Sequence, residues 1–172
     1  RSLRHVYGEA FFCGGVTIPT RRHPEPARDE IPRLLAKARH GLDYFTSQVL
    51  CEPGAAQRLL RDYDRLCRAQ GEAPRRVLLS FAPVSSRRDL DFLRWLGVHV
   101  PEAVARELLK VNMGVGWRSL QRAKRTLREV LDFVREHDVR VPLGLNVEHI
   151  TRHNFELSGQ FLEELGALYA AG

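Results

Sequence analysis

Four short apolar runs alternate with longer stretches of helical periodicity, and each run ends in residues of chemical interest. Together these observations predict an α/β fold of the (β/α)8, TIM-barrel type, whose ligand site gathers residues from successive strand ends. Length is the third observation: a full barrel takes about 250 residues, and this chain has 172. It is therefore expected to supply about four βα units, a half barrel, as one segment spanning residues 1–172. Such a half is either the second part of a longer barrel or a unit that closes against a partner, because four open strands leave two unpaired edges. An open doubly wound sheet is the other arrangement of four units, but no Gly-x-Gly-x-x-Gly turn follows any run, so a dinucleotide fingerprint is missing.

The elements follow in order. The first run is Ala10 to Ile18; its helix begins near Asp29-Glu30, whose acids suit a first turn, and continues through Leu34, Leu35 and Ala38 to Gly41. Pro32 is tolerated there because it falls within that first turn. The second run, Tyr44 to Leu50, is closed by Pro53-Gly54, and Leu59, Leu60, Tyr63, Leu66 and Cys67 then share one helix face. The third run, Val77 to Phe81, ends at Ala82-Pro83, where Ser85 or Ser86 caps a helix through Leu90, Leu93 and Leu96. Pro101 starts another helical piece, and a long amphipathic helix runs from Ser119 to about His137, with Leu120, Leu127, Val130, Leu131 and Val134 inward. The fourth run, Val141 to Val147, precedes a last helix from about Asn154 to Tyr169 with an apolar stripe of Phe161, Leu162, Leu165 and Leu168.

Composition narrows the function classes. The 44% hydrophobic share supports a core, and the formal charge of +6 invites a polyanion partner. Yet Lys and Arg are scattered among Asp and Glu, without the basic run interleaved with aromatics that single-strand binders use, so no nucleic-acid partner is expected. Phosphate-bearing small ligands suit the excess equally well. Cys13, Cys51 and Cys67 are odd in number and unpaired in spacing, which reads as reduced, intracellular thiols. No apolar run reaches the ~18 residues of a membrane span, and no signal-peptide core is present, so a cytoplasmic protein with no membrane partner is expected.

The stretch from Gly14 to Pro24 carries the most information: an apolar strand runs into a basic, His-bearing loop that opens a helix. Phosphates favour a helix N-terminus with basic residues nearby, so His23 among Arg21 and Arg22 has a physical reason to meet a pyrophosphate; a solvated loop histidine is the plainer alternative. Gln48 closes the second run, and an amide donates and accepts at once, as a heteroaromatic edge requires; a buried glutamine satisfied by backbone competes with that reading. Asn146 and Glu148 are two residues apart on the last strand and so share a face. Both suit a ligand-facing rim or a satisfied structural one. No Gly-x-Ser-x-Gly elbow appears, which disfavours a Ser-His-Asp hydrolase.

In order and spacing these residues resemble the methylenetetrahydrofolate reductases, flavin-dependent (β/α)8 barrels. Gly14 to Pro24 is similar to that family's fifth strand and loop, Gly41-Leu42-Asp43-Tyr44-Phe45-Thr46-Ser47-Gln48 to its sixth, Ala82-Pro83-Val84-Ser85-Ser86 to the turn after its seventh, and Leu143-Gly144-Leu145-Asn146-Val147-Glu148 to a variant eighth. The resemblance covers about Ala10 to Tyr169 and makes the chain the C-terminal half of such a barrel. It implies FAD as cofactor, contacted by His23, by Glu30 near the ribose and by Lys37, Arg21 and Arg22 near the phosphates. It also implies NADH or NADPH as reductant, a folate substrate met by Gln48, Asn146, Glu148 and Phe92, and a homo-oligomer. For Glu30 an acid that merely suits the helix N-terminus is the alternative, and for Lys37 a solvated helix lysine.

The sequence also departs from the family. Ile18 stands where many members stack an aromatic residue on the flavin, and Asp89 and Leu93 fall where the family has a substrate-contacting Gln and Phe, with Phe92 adjacent. The family's acid and its flavin-tuning aspartate belong to the other half of the barrel. Expectations therefore divide three ways: a reductase segment reducing 5,10-methylenetetrahydrofolate to 5-methyltetrahydrofolate once completed, a folate- or pterin-binding relative that lacks flavin, or a non-catalytic half-barrel that pairs with another chain.

Overall fold

The apolar runs become four strands, β1 (Gly14–Thr17), β2 (Tyr44–Ser47), β3 (Arg76–Phe81) and β4 (Leu143–Val147). The structure, a computed structural model, describes Gly8, residues 10–111 and residues 113–171. All strand pairs are parallel and the order is β1-β2-β3-β4, with Gly15 opposite Phe45, Phe45 opposite Val77 and Val77 opposite Leu143. Parallel neighbours need long crossovers. Helix α1 (Glu30–Arg39) returns the chain from β1 to β2, and α2 (Pro53–Ala69) returns it from β2 to β3. Between β3 and β4 lie α3 (Arg87–Trp95), α4 (Glu102–Leu109) and α5 (Val115–Glu136), and α6 (Phe155–Ala171) follows β4. The order never reverses, so the sheet lacks the switch point of a doubly wound fold.

Strand side chains alternate between faces, and the two faces differ. Phe45, Val77, Leu79, Phe81 and Leu143 pack in one cluster with Leu34 of α1, Leu60 and Tyr63 of α2, Leu127 and Val130 of α5, and Phe161 and Leu165 of α6. Burying each such side chain contributes about 1.5–3 kcal/mol. Tyr63 places its hydroxyl to accept from Arg75 N at 3.1 Å, and burial pushes its phenol up to about 12. The opposite face carries Val16, Thr46, Leu78 and Gly144 in register, and Val16 is 61% exposed there. A second apolar cluster of Val84, Leu90, Leu93, Val98, Val104 and Leu108 seats α3 and α4 beyond the carboxyl ends of the strands.

Boundaries shift for local reasons. β1 begins at Gly14 rather than Ala10 because its neighbour β2 begins at Tyr44, leaving Phe11 and Phe12 outside the ladder. Phe12 instead stacks on Tyr44 at 5.2 Å. A Cβ on Gly14 would lie 2.3 Å from Tyr44 Cζ, so only glycine lets that ring cross the strand. Helix α3 starts where Ser86 and Asp89 form a capping box. Helix α5 starts at Val115, a turn earlier than Ser119, because Gly114 adopts φ 71° and makes room for the preceding turn. Leu162 corrects the expected stripe of α6: it is 61% exposed, while Phe161 and Leu165 are buried in the core and Leu168 packs against it partly buried.

The thiols Cys13, Cys51 and Cys67 are unbridged. Burial pushes Cys51 up to about 11, with Arg122 opposing and Glu52 adding, so this thiol is held neutral.

Candidate functional site

The carboxyl ends of β1, β2 and β4 open into a cleft of about 280 Å³ lined by Val16, Ile18, Thr46, Gln48 and Glu148, with Leu93, Leu96 and Val98 as its roof. Each polar wall residue is placed by the sheet. Gln48 sits one residue past β2, where its backbone N–H still donates to Thr17 O at 2.8 Å. Its side-chain Nε2 donates to Gly97 O at 3.2 Å, a tie between the sheet and the turn after α3. Glu148 N donates to Phe81 O at 2.8 Å, which fixes the residue just beyond β4. Asn146 Nδ2 donates to Ser80 Oγ at 3.0 Å and reaches Glu148 Oε1 at 3.4 Å. Gln48 and Glu148 thus line one cleft, while Asn146, bonded to Ser80 and Glu148, is not among its lining residues.

The residues after β1 form a different arrangement. Glu30 is 1% exposed, and its Oε1 accepts from Thr17 Oγ1 at 3.0 Å and from Ile18 N at 3.2 Å. Lys37, two turns along α1, donates Nζ to Val16 O at 2.7 Å. Burial lowers the Lys37 ammonium below its ordinary value, with Glu30 opposing and Arg33 and Arg21 adding to the decrease. His23 Nδ1 accepts from Glu25 N at 3.1 Å, so its ring orients the loop before the short turn Pro26–Arg28. Arg21 N closes a turn onto Ile18 O at 2.9 Å, and Arg22 Nη1 donates to Arg21 O at 2.9 Å. Glu30 and Lys37 therefore engage the backbone of β1 and are absent from the wall of the Gln48 cleft.

A second, larger cleft of about 560 Å³ lies on another side of α3, between that helix and the turn Arg152–Asn154. Phe92, Arg88, Arg152 and His153 line it, and Phe92 stacks on Trp95 at 5.6 Å. Its floor is Asp89, 3% exposed. Asp89 Oδ2 accepts from Ser85 N and Ser85 Oγ at 2.8 Å each, from Ser86 N at 3.0 Å and from Asn154 Nδ2 at 3.2 Å, while Oδ1 lies 3.0 Å from His153 Nε2. Burial alone would raise this carboxyl; the bonds from Ser85 and Asn154 and the charge of His153 outweigh it and hold the group below the usual aspartate value.

Phe92 is thus in a separate cleft from Gln48. Asp89, His153 and Asn154 were missed as a group by sequence reading; the Ser-Ser-x-x-Asp capping pattern marked Asp89 locally, but nothing in the spacing joined it to His153. Among the described residues, no three His, Cys, Asp or Glu side chains gather as a metal site, and no helix is long and apolar enough to cross a membrane.

No protein-family profile matches the chain, and no curated protein does. Among solved structures, a similar one is an uncharacterized protein from Clostridium thermocellum, which binds two copies of 5-methyl-5,6,7,8-tetrahydrofolic acid. The likeness has a TM-score of 0.77 at 22% identity and covers 96% of this chain. It shows a shared fold. The chain spans 57% of that protein's length.

Proposed function

We propose that this chain binds a reduced folate, holding the pterin ring in the Gln48–Glu148 cleft, and that it forms half of a (β/α)8 barrel. The observation that carries the reading is that Gln48 and Glu148, from different strand ends, line one cleft beneath an apolar roof. A pterin presents an N–H and an amino group side by side, which a carboxylate accepts, and ring nitrogens and a carbonyl, which an amide complements. Ligand pockets run from about 300 Å³ upward, so a cleft near 280 Å³ suits the bicyclic ring rather than a whole folate. The structural neighbour's ligand supports this assignment, as does the order of the sequence motifs.

The sequential parallel order and the packing of α1, α2, α5 and α6 on one face support the half-barrel reading. Eight strands is the number at which side chains just fill a barrel interior, and four are present among the described residues.

The residues fit flavin poorly in the roles the resemblance implies. Glu30 and Lys37 are bonded to β1, and Ile18 offers no aromatic face. These observations favour the relative that lacks flavin. Flavin-dependent reduction of methylenetetrahydrofolate by NADH or NADPH is the second reading, favoured by one feature: Arg21 lies close enough to Lys37 to act on its charge, leaving a basic loop beside the strand end.

Calorimetric titration with 5-methyltetrahydrofolate and, separately, with FAD tests both. A folate isotherm with none for FAD is the expected result. A folded chain that binds FAD and no folate would overturn the first reading, and binding of neither would overturn both.

A further inference from the structure

The larger cleft, about 560 Å³ between the start of α3 and the turn Arg152–Asn154, has two arginines on its wall, Arg88 and Arg152. Among the described residues neither guanidinium has a hydrogen bond or an ion pair. The acids on the same wall are already engaged: Asp91 lies 3.7 Å from Arg94, and Asp89 is bonded to Ser85, Ser86, Asn154 and His153. The wall therefore carries cationic charge that none of the described residues neutralises. Two more groups there lack a partner. An ionised carboxylate only accepts, so His153 holds a proton on Nε2 toward Asp89 Oδ1 at 3.0 Å, which leaves its Nδ1 unbonded among the described residues. The hydroxyl oxygen of Thr151 is buried without a hydrogen-bond partner, an arrangement that costs free energy until an acceptor meets it. These groups are held in place. Asn154 Nδ2 donates to Pro83 O and to Asp89 Oδ2 at 3.2 Å each, and Asn154 N donates to Thr151 O at 3.0 Å, which fixes the loop after β4 against the loop after β3. Loops after neighbouring strands frequently form the phosphate site of (β/α)8 barrels. Phe92, stacked on Trp95 with 16° between the rings, supplies an aromatic part of the wall.

We propose that this cleft is a second binding site, for a phosphomonoester joined to a planar ring, a nucleoside monophosphate in chemical class. Arg88 and Arg152 meet the phosphate oxygens, since a guanidinium presents a fork of donors that matches phosphate two bonds at a time. The Thr151 hydroxyl and, when protonated, His153 Nδ1 add donors beside them. Phe92 takes the ring by stacking. A bare phosphate leaves most of the 560 Å³ empty, whereas pockets of about 300–1,000 Å³ suit a ring and its sugar together. Asp89 is a positioning residue here: its bonds hold His153 and the two loops, so that less ordering is needed when the anion arrives. None of these residues lines the Gln48 cleft, so the site is independent of folate binding.

Calorimetric titration of the chain with adenosine 5′-monophosphate, adenosine and inorganic phosphate tests this. The monophosphate is expected to bind more tightly than either of its parts. Arg88→Ala and Arg152→Ala should each weaken it about tenfold, the scale of a lost hydrogen bond to a charged group, and leave 5-methyltetrahydrofolate binding unchanged. Phe92→Leu should weaken the monophosphate and leave inorganic phosphate as it was. Arg128→Ala, which removes the same charge from an exposed position on α5, is expected to have no effect. Circular dichroism checks the fold of each variant. Monophosphate binding that survives both substitutions in the cleft, or that falls as far in Arg128→Ala, would mean charge attraction without a site and would overturn the proposal. So would a folded chain that takes up no monophosphate at millimolar concentration, or monophosphate displaced by 5-methyltetrahydrofolate. Monophosphate binding with no folate binding would uphold this site and overturn the folate reading alone.

Discussion

The two clefts beside α3 are built on opposite principles. In the larger, Asp89 is buried and its two oxygens meet Ser85, Ser86, Asn154 and His153 within 3.2 Å. In the smaller, Gln48 makes one side-chain bond of 3.2 Å and Glu148 is approached by Asn146 only at 3.4 Å. A carboxylate so fully engaged holds two loops in place, whereas groups with one long bond apiece exchange it for a ligand at little cost. Both clefts flank α3, and their polar side chains differ in how fully each is already bonded.

The largest effect expected from that contrast is on stability. Asp89→Ala removes the acceptor for donors on both loops and leaves them buried and unpaired, a loss of about 3 kcal/mol. Urea unfolding checks it; a change under about 0.5 kcal/mol, the scale of ordinary surface substitutions, would mean that the network does not anchor the loops. Next in size is ligand affinity. Gln48→Ala should weaken 5-methyltetrahydrofolate binding about tenfold, equivalent to about 1.4 kcal/mol, with the unfolding midpoint unchanged. Equal losses of affinity and stability would assign Gln48 to the scaffold instead.

The pH response sharpens the same comparison. Asp89 has a lowered folded value, so its contribution to stability is complete above the unfolded value, about 3.9 for an ordinary aspartate, and is lost as pH falls through the folded one. Unfolding followed from pH 6 to pH 2 should show the wild type losing stability in the acid range and Asp89→Asn losing less. Parallel curves would remove Asp89 as a contributor to acid unfolding.

Much of the architecture was legible in the sequence because strand and helix periodicities are local. The runs at Tyr44, Val77 and Val141, the helix stop at Gly41 and the Ser86 cap all depend on neighbours within a few residues. The pairing of Asn146 with Glu148 was legible for the same reason, since residues two apart on a strand share a face. Asp89 with His153 was not, because that contact joins residues 64 apart through the packing of two loops. Glu30 and Lys37 show the other limit. Their spacing placed them on one helix face, but only the packing of α1 on the sheet reveals that this face meets the backbone of Val16 and Ile18.

The smallest effect expected concerns Phe92. Its ring lines the larger cleft and stacks on Trp95, while its helix neighbours Leu93 and Leu96 roof the smaller one. A pterin beside Gln48 is thus separated from Phe92 by the body of α3, and only a part of the ligand extending past the helix can reach the ring. An aromatic contact is worth about 0.5–1.5 kcal/mol when fully made, and a partial one less, so Phe92→Leu should weaken folate binding by about threefold at most. Calorimetry on Phe92→Leu, Gln48→Ala and the double variant decides the point. Additive losses with a small Phe92 share keep the clefts distinct. A loss for Phe92→Leu as large as that for Gln48→Ala, with no further loss on combining them, would make the two clefts one continuous site wrapped around α3.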